Sequence, residues 1–214
     1  MSVAAIVVAG GRGARFGGPK QFSTLGEISV AAHSVRATRC VADFVVLVVP
    51  DDYHGGGEGA DVVVVGGATR AASVRAGLSA LPECDVVVVH DAARPLASSG
   101  LFDAVVAAVQ SGADGAIPGL AVTDTVKRVT AREGRDVVVG TLDRNELVTV
   151  QTPQAFRYEF LERAHATLDD ATDDAALVEA AGGTVVIVAG ETKNLKITEP
   201  ADLARVAAAL EENE

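Results

Sequence analysis

The sequence predicts a three-layer α/β fold: a doubly wound, mostly parallel sheet of Rossmann-like type with a projecting β-hairpin arm. Three observations carry this reading. Short valine-rich runs recur along the chain and are nearly continuous rather than alternating, the pattern of strands covered on both faces. Helical patterns lie between them, at the spacing of right-handed βαβ crossovers. The alternation breaks between about residues 120 and 152, where two β-like runs follow one another without an intervening helix.

In order, the first strand is expected at Val3–Val8, followed by a glycine-rich loop and a helix over Ile28–Thr38. The second strand, Phe44–Val49, runs into Asp51–Gly59, which is too short and glycine-rich for a good helix, so the crossover to strand Val62–Val65 reads as a bare loop. Helix Arg70–Leu81, strand Val86–Val89, helix Leu101–Gln110 and strand Gly115–Pro118 come next. The runs Val122–Val129 and Asp136–Leu142, separated by Thr130–Arg135, read as the hairpin arm. Helices at Tyr158–Thr167 and Asp174–Ala181 follow, the second with Asp173 as N-cap and Gly182–Gly183 as its stop. Strand Thr184–Val188 and helix Pro200–Leu210 complete the series. The 214 residues fit a single domain that contains the arm (about 120–152), with no repeat of solenoid or propeller period. An arm with few core partners of its own packs on another chain, so an interlocking homodimer with arm exchange is inferred. The other reading is a surface hairpin folded back on its own domain.

Composition narrows the function. The formal net charge is −11, which makes a poor non-specific binder of nucleic acid or of an anionic membrane, so neither is expected as a partner. Any phosphate chemistry must then rest on a local cluster of positive charge. Cys40 and Cys84 are too few for a disulfide framework and lack zinc-site spacing. The N-terminal MSVAAIVVAGG has no basic region before its apolar run and reads as a buried strand, and no apolar stretch approaches the roughly 20 residues of a membrane helix. A soluble, cytoplasmic protein is expected. Only four of the basic residues are lysines, Lys20, Lys127, Lys193 and Lys196, which makes each survivor worth separate attention.

The loop after the first strand, AGGRGARFGGPKQF, sits where open α/β sheets bind ligands, beyond the carboxyl ends of the strands. Two familiar readings fail on spacing. Phe16 occupies the third glycine of a dinucleotide fingerprint begun at Gly11, and Pro19 stands where a P-loop begun at Gly13 requires lysine. What remains is a side-chain-poor loop interleaved with Arg12, Arg15 and Lys20, whose backbone N–H groups and cations suit a triphosphate.

That loop resembles the signature of the sugar-phosphate nucleotidyltransferases. Gly66-Gly67 with Arg70–Val74, His90-Asp91-Ala92-Ala93-Arg94-Pro95, Asp124–Arg128 and Asp143-Arg144-Asn145 narrow the resemblance, as do Gln151-Thr152-Pro153-Gln154, Thr172-Asp173-Asp174 and Asn194–Thr198. Together, over essentially the whole chain and in order, they resemble the 2-C-methyl-D-erythritol 4-phosphate cytidylyltransferase family. The resemblance implies the nucleotidyltransferase form of the Rossmann-like fold, and a reaction that joins CTP to a polyol phosphate with release of pyrophosphate. The attacking phosphate monoester is largely ionised near neutral pH and needs no general base, so catalysis reduces to alignment and charge neutralisation.

Carried over by position, the resemblance implies Arg15, Lys20 and Lys196 as catalytic cations. Ala9, Gly10, Gly11, Gly67 and Ser73 fall around the nucleotide, with cytosine read largely by main-chain groups. Asp91, Arg94, Thr125, Arg144 and Thr152 fall to the polyol phosphate, Thr125 and Arg144 acting from the arm in the partner chain's site. Mg2+ is the expected cofactor, held mostly by CTP phosphates with Asp91 as a candidate ligand. His90 reads as a hydrogen-bonded scaffold residue, Arg12 as a solvated or secondary phosphate contact, and Lys193 as a surface charge. Two departures stand out: Gly10, where methylerythritol enzymes usually carry alanine, and Ala68, where well-known members carry an acidic residue. A ribitol-5-phosphate cytidylyltransferase is the nearest rival, favoured by Gly10 and opposed by Lys127-Arg128, Asp143–Asn145 and Thr172–Asp174. A non-catalytic nucleotide-binding regulator is opposed by the joint presence of Arg15, Lys20 and Lys196, and an NAD-dependent oxidoreductase by Phe16.

Overall fold

The computed structural model describes residues 1–13, 15–167, 171 and 173–211. Its centre is a mixed, mostly parallel sheet. Strands β1 (Val3–Val8), β4 (Phe44–Val49), β5 (Val62–Val65) and β6 (Val86–Asp91) are mutually parallel in the order β6-β1-β4-β5, with the two-residue strands β2 (Thr24–Leu25) and β3 (Ile28–Ser29) forming a small ribbon beside them. Beyond β6 the sheet continues through β11 (Gln154–Arg157), antiparallel to its neighbours, to β7 (Gly115–Ala121). Strand β10 (Val148–Val150) runs antiparallel to β7, and β12 (Val185–Ala189) parallel to it.

Two helical layers cover the sheet. Helices α1 (Val30–Thr38) and α3 (Ser99–Gln110) bury Ala31, Val35, Leu101, Phe102 and Val105 against one face. Helices α2 (Arg70–Leu78), α4 (Tyr158–Thr167) and α5 (Asp174–Ala180) bury Val74, Leu161 and Val178 against the other. A third cluster, built on Leu25, Val30, Ala93, Ile197 and Val206, fastens α6 (Pro200–Glu211) and the segment before it to the rim. The helix starts follow capping chemistry: Ser29, Thr69, Ser98 and Asp173 each accept the N–H three residues on with their side chains.

The doubly wound architecture and the bare loop between β4 and β5 agree with the sequence reading, and four details differ. Ile28 and Ser29 pair as strand rather than opening α1, because Ser29 is the N-cap. Strand β5 is not covered on both faces: it is the sheet edge, with Val63 41% and Val65 57% exposed. The antiparallel insertion of β11 between β6 and β7 was not read from QAFR, which shows no strand periodicity. The arm is a hairpin, but its strands are β8 (Lys127–Arg132) and β9 (Arg135–Thr141), joined at Glu133-Gly134, both at positive φ (50° and 74°). Thr130–Arg132 and Arg135 are therefore strand, since a two-residue turn of this hand matches strand twist better than a wide loop. Among the described residues the arm packs to any extent on itself alone, and Val129, Val138 and Val139 stand about half exposed on it.

Candidate active site

The mouth of the sheet is built by the loops after β1, β5, β6 and β12. The first loop leaves β1 pinned on both sides: Ala9 N–H donates to Val48 O at 2.7 Å, and Ala92 N–H, after β6, to Val8 O at 3.1 Å. Its path is then set from within. Gly13 sits at φ +63°, where its carbonyl accepts from the N–H groups of Phe16 and Gly17, and a Cβ there would fall 1.8 Å from Gly18 O. The buried Gln21 side chain donates from Nε2 to Ala9 O (2.6 Å) and Gly11 O (2.8 Å), holding the loop from below. Gln21 carries a function that sequence reasoning missed; its only signal was a polar residue opposite a run of glycines.

The loops enclose a cavity of about 640 Å³. Arg12, Arg15, Lys20, Arg70 and Lys196 line it, against a single carboxylate, Asp91. An acidic protein thus holds five of its 18 cations around one cavity. Burial, then the neighbouring Lys196 and Arg15, pushes the Lys20 ammonium below the usual lysine range. Asp91 lies at the end of β6 with its carboxylate 14% exposed; Lys196 Nζ donates to Oδ2 at 2.6 Å and Arg70 Nε lies 3.6 Å from Oδ1. Burial alone would raise its pKa, but Lys196 and Arg70 outweigh that and bring it down to about 2. Arg70 is held above the ordinary arginine range: burial opposes its charge, and Asp174 and Asp91 prevail.

On the far wall, Gly67, Ala68, Thr69 and Ser73 face the first loop. A Cβ on Gly67 would lie 2.4 Å from Ala72 Cβ, whereas one on Gly10 would lie 3.4 Å from Ser73 Oγ, an ordinary contact. The Ser73 hydroxyl donates back to Thr69 O at 3.0 Å.

Behind the cavity lies a buried polar scaffold. His90 is fully buried, with Nε2 3.1 Å from Arg94 O and Nδ1 3.2 Å from Thr152 Oγ1. A carbonyl only accepts, so Nε2 carries the proton, Nδ1 accepts from the Thr152 hydroxyl, and that oxygen accepts from Asp91 N–H (3.0 Å). Burial dominates here and lowers the His90 pKa to about 4, so the ring stays neutral. Arg94 donates to Asn194 O (2.7 Å), and the Asn194 amide donates to Thr152 O (2.9 Å). Gln151 Nε2 donates to Glu191 O (2.8 Å), and Ile197 N–H to Ala93 O (2.8 Å). These bonds and the buried Ile197 side chain hold the segment that presents Lys196 to the cavity.

The model of the family described as 2-C-methyl-D-erythritol 4-phosphate cytidylyltransferase (IspD) matches residues 3–212. The 2-C-methyl-D-erythritol 4-phosphate cytidylyltransferase of Streptomyces coelicolor is 45% identical over 227 residues, covering 97% of this chain and 84% of that protein. The chain belongs to this family. The crystal structure of the enzyme of that name from Thermus thermophilus superposes with a TM-score of 0.82 at 36% identity, covering 99% of this chain and all of that one. A protein of Anaeromyxobacter named bifunctional enzyme IspD/IspF is 47% identical over 98% of this chain, which spans 57% of that protein's length.

Set against this cytidylyltransferase family, the sequence-predicted residues divide into three groups. Arg15, Lys20, Lys196, Ala9, Gly10, Gly11, Gly67, Ser73 and Asp91 all line the one cavity, and Arg12 joins them. Arg94 and Thr152 do not line it: the Arg94 guanidinium is bonded to main-chain carbonyls, and the Thr152 hydroxyl is occupied between His90 and Asp91. Thr125 and Arg144 lie away from it at the root of the arm, exposed, with the Arg144 guanidinium donating to Thr123 O. Thr172 falls outside the described residues. Arg70, quoted in a motif but given no role by the sequence reading, proves to be part of the cavity wall. Among the described residues no group of three acidic, histidine or cysteine side chains could hold a metal ion, and no helix is long and apolar enough to cross a membrane.

Proposed function

We propose that this chain transfers the cytidylyl group of CTP to 2-C-methyl-D-erythritol 4-phosphate, giving the CDP-alcohol and pyrophosphate. The observation that carries the reading is that Arg15, Lys20 and Lys196, from opposite ends of the chain, line one cavity in a member of this family. A monoester oxygen of the polyol phosphate attacks the α-phosphorus, the new P–O bond forms on the far side of the α–β bridge, and pyrophosphate leaves with the electron pair of that bond. Two anions must meet for this to happen. Arg15 and Lys20 are assigned to the triphosphate and the leaving pyrophosphate, and Lys196 to the α-phosphate.

The main-chain groups of Gly10, Gly11 and Gly67, with Ser73, are assigned to the cytosine side, where main-chain donors and acceptors read the base. Ala9 shapes that side, since its N–H is already committed to Val48 O. Asp91 is assigned to the polyol. A divalent cation such as Mg2+ fits here as a passenger on the nucleotide: the wall offers it one carboxylate, already paired, and its chemistry when bound is to neutralise phosphate oxygens. The valines exposed on a hairpin that, among the described residues, packs chiefly on itself support a homodimer in which the arm carries Thr125 and Arg144 to the partner's site. Arg94 and Thr152 then serve that site from behind.

The test is a pyrophosphate-release assay with CTP, offering methylerythritol phosphate and ribitol 5-phosphate separately. Turnover with the first alone is expected. Turnover with ribitol phosphate alone, or with neither, overturns the proposal.

A further inference from the structure

From the cavity a line of alternating charge runs into the protein interior. Lys196 meets Asp91 at 2.6 Å, Arg70 stands 3.6 Å from the other Asp91 oxygen, and Arg70 Nη1 donates to Asp174 Oδ2 at 2.6 Å. The second Asp174 oxygen accepts from His165 Nε2 at 2.9 Å. Asp174 and His165 are both almost wholly buried, and 104 positions separate Arg70 from Asp174. Local rules do not explain this placement. Asp174, the first residue of α5, sits at the end of a helix that favours a carboxylate, but Arg70, the first residue of α2, puts a cation at the end that disfavours one. A residue that breaks a local rule with a buried partner supplied to hold it marks a functional position.

The chemistry explains the need. Lys196 is paired with Asp91. As Lys196 gives donors to a phosphate its hold on Asp91 loosens, and a poorly exposed carboxylate whose partner is drawn off is costly. At 3.6 Å Arg70 makes no hydrogen bond to Asp91 but is close enough to compensate its charge.

We infer that Arg70 is the standing counter-ion of Asp91 and that Asp174 is the positioning residue that aims it, so that Lys196 is released to substrate phosphate. The inference rests on the cytidylyl-transfer reading above. Among the described residues the contacts of Asp174 lead toward the cavity only through Arg70, and this makes the arrangement testable by a double-mutant cycle.

The experiment measures kcat, KM for both substrates and the thermal midpoint for Asp174→Asn, Arg70→Met and the double variant. Asp174→Asn is expected to lower kcat roughly ten- to hundredfold, by analogy with the partners that orient metal-ligating side chains, with KM for CTP little changed. In the Arg70→Met background the same substitution should have no further effect on kcat. If Arg70→Met does not fold, Arg70→Lys replaces it: one ammonium cannot span both carboxylates, so Asp174→Asn should again add nothing to its kcat. An unchanged kcat in Asp174→Asn overturns the inference, as do effects on kcat that multiply across the cycle, which would mean that Asp174 serves only to anchor α5. If the wild-type chain releases no pyrophosphate from either polyol phosphate, the functional reading itself fails, and the cycle is not its cause.

Discussion

Two glycines on facing walls of the cavity should respond oppositely to one methyl group. At Gly67 an added Cβ would stand 2.4 Å from Ala72 Cβ, with the Ala72 backbone at 3.3 and 3.4 Å. Carbon atoms in contact rest about 3.5–4.0 Å apart, so about an ångström must be found. Neither neighbour can yield it by rotating, since Ala72 has no rotamer and belongs to the first turn of α2. The loop from Gly66 to Thr69 must move instead, and forced overpacking of this kind costs about 1–3 kcal/mol. At Gly10 the added Cβ would lie 3.4 Å from Ser73 Oγ, ordinary contact. Gly67→Ala should therefore lower the urea-unfolding free energy by about 2 kcal/mol and raise KM for CTP roughly tenfold, the equivalent of about 1.4 kcal/mol of binding. Gly10→Ala should change stability by no more than about 0.5 kcal/mol and leave KM for CTP near the wild-type value. Equal effects of the two substitutions, or a larger one at Gly10, would refute the assignment of these walls to the base.

Other expectations concern the scaffold and the arm. Thr152→Val removes a hydroxyl that serves both His90 and the Asp91 N–H, and should destabilise the fold by about 2–4 kcal/mol in urea titration, while Thr152→Ser, which keeps the oxygen, costs less; equal losses would point away from the hydrogen bonds. His90, neutral in the fold with its pKa lowered to about 4, lends stability that is complete above its unfolded value near 6.5 and is lost as pH falls from there toward 4. Between pH 7 and pH 5 this amounts to about 2 kcal/mol, a slope that His90→Asn should abolish in urea midpoints taken across that range. Asp91 acts lower down, its contribution fading only between the ordinary carboxyl range and about pH 2. Arg144→Ala should raise KM for the polyol phosphate far more than KM for CTP, and equal rises would contradict its assignment to the polyol phosphate.

Much of the fold was legible because it follows from local chemistry. Val3–Val8, Phe44–Val49 and Val62–Val65 are strands at the residues expected, since an uninterrupted β-branched run has few alternatives. Asp173 caps α5 as its side-chain chemistry requires, and Gly182 past the helix end takes a positive φ. Where pairing partners decide, reading failed. Gln154–Arg157 becomes an inner strand because β6 and β7 leave an antiparallel slot between them, and Val63 and Val65 of β5 are exposed because only the face carrying Val62 and Val64 packs on the core. The site divided in the same way. Cations in a glycine-rich loop announce phosphate chemistry by composition, but Gln21, Thr152 and Arg70 carry roles that exist only once distant carbonyls, an imidazole and a buried carboxylate are brought beside them.

The amino-acid order by itself determined the alternating α/β architecture, the hairpin and the cluster of cations in the glycine-rich loop, because strand propensity, capping and side-chain charge are properties of short segments. Tertiary structure alone decided that Lys196 meets Asp91, that Asp174 holds Arg70 behind them, and that Arg94 and Thr152 face inward, because those contacts span from 56 to 105 positions of chain and are set by how the sheet closes.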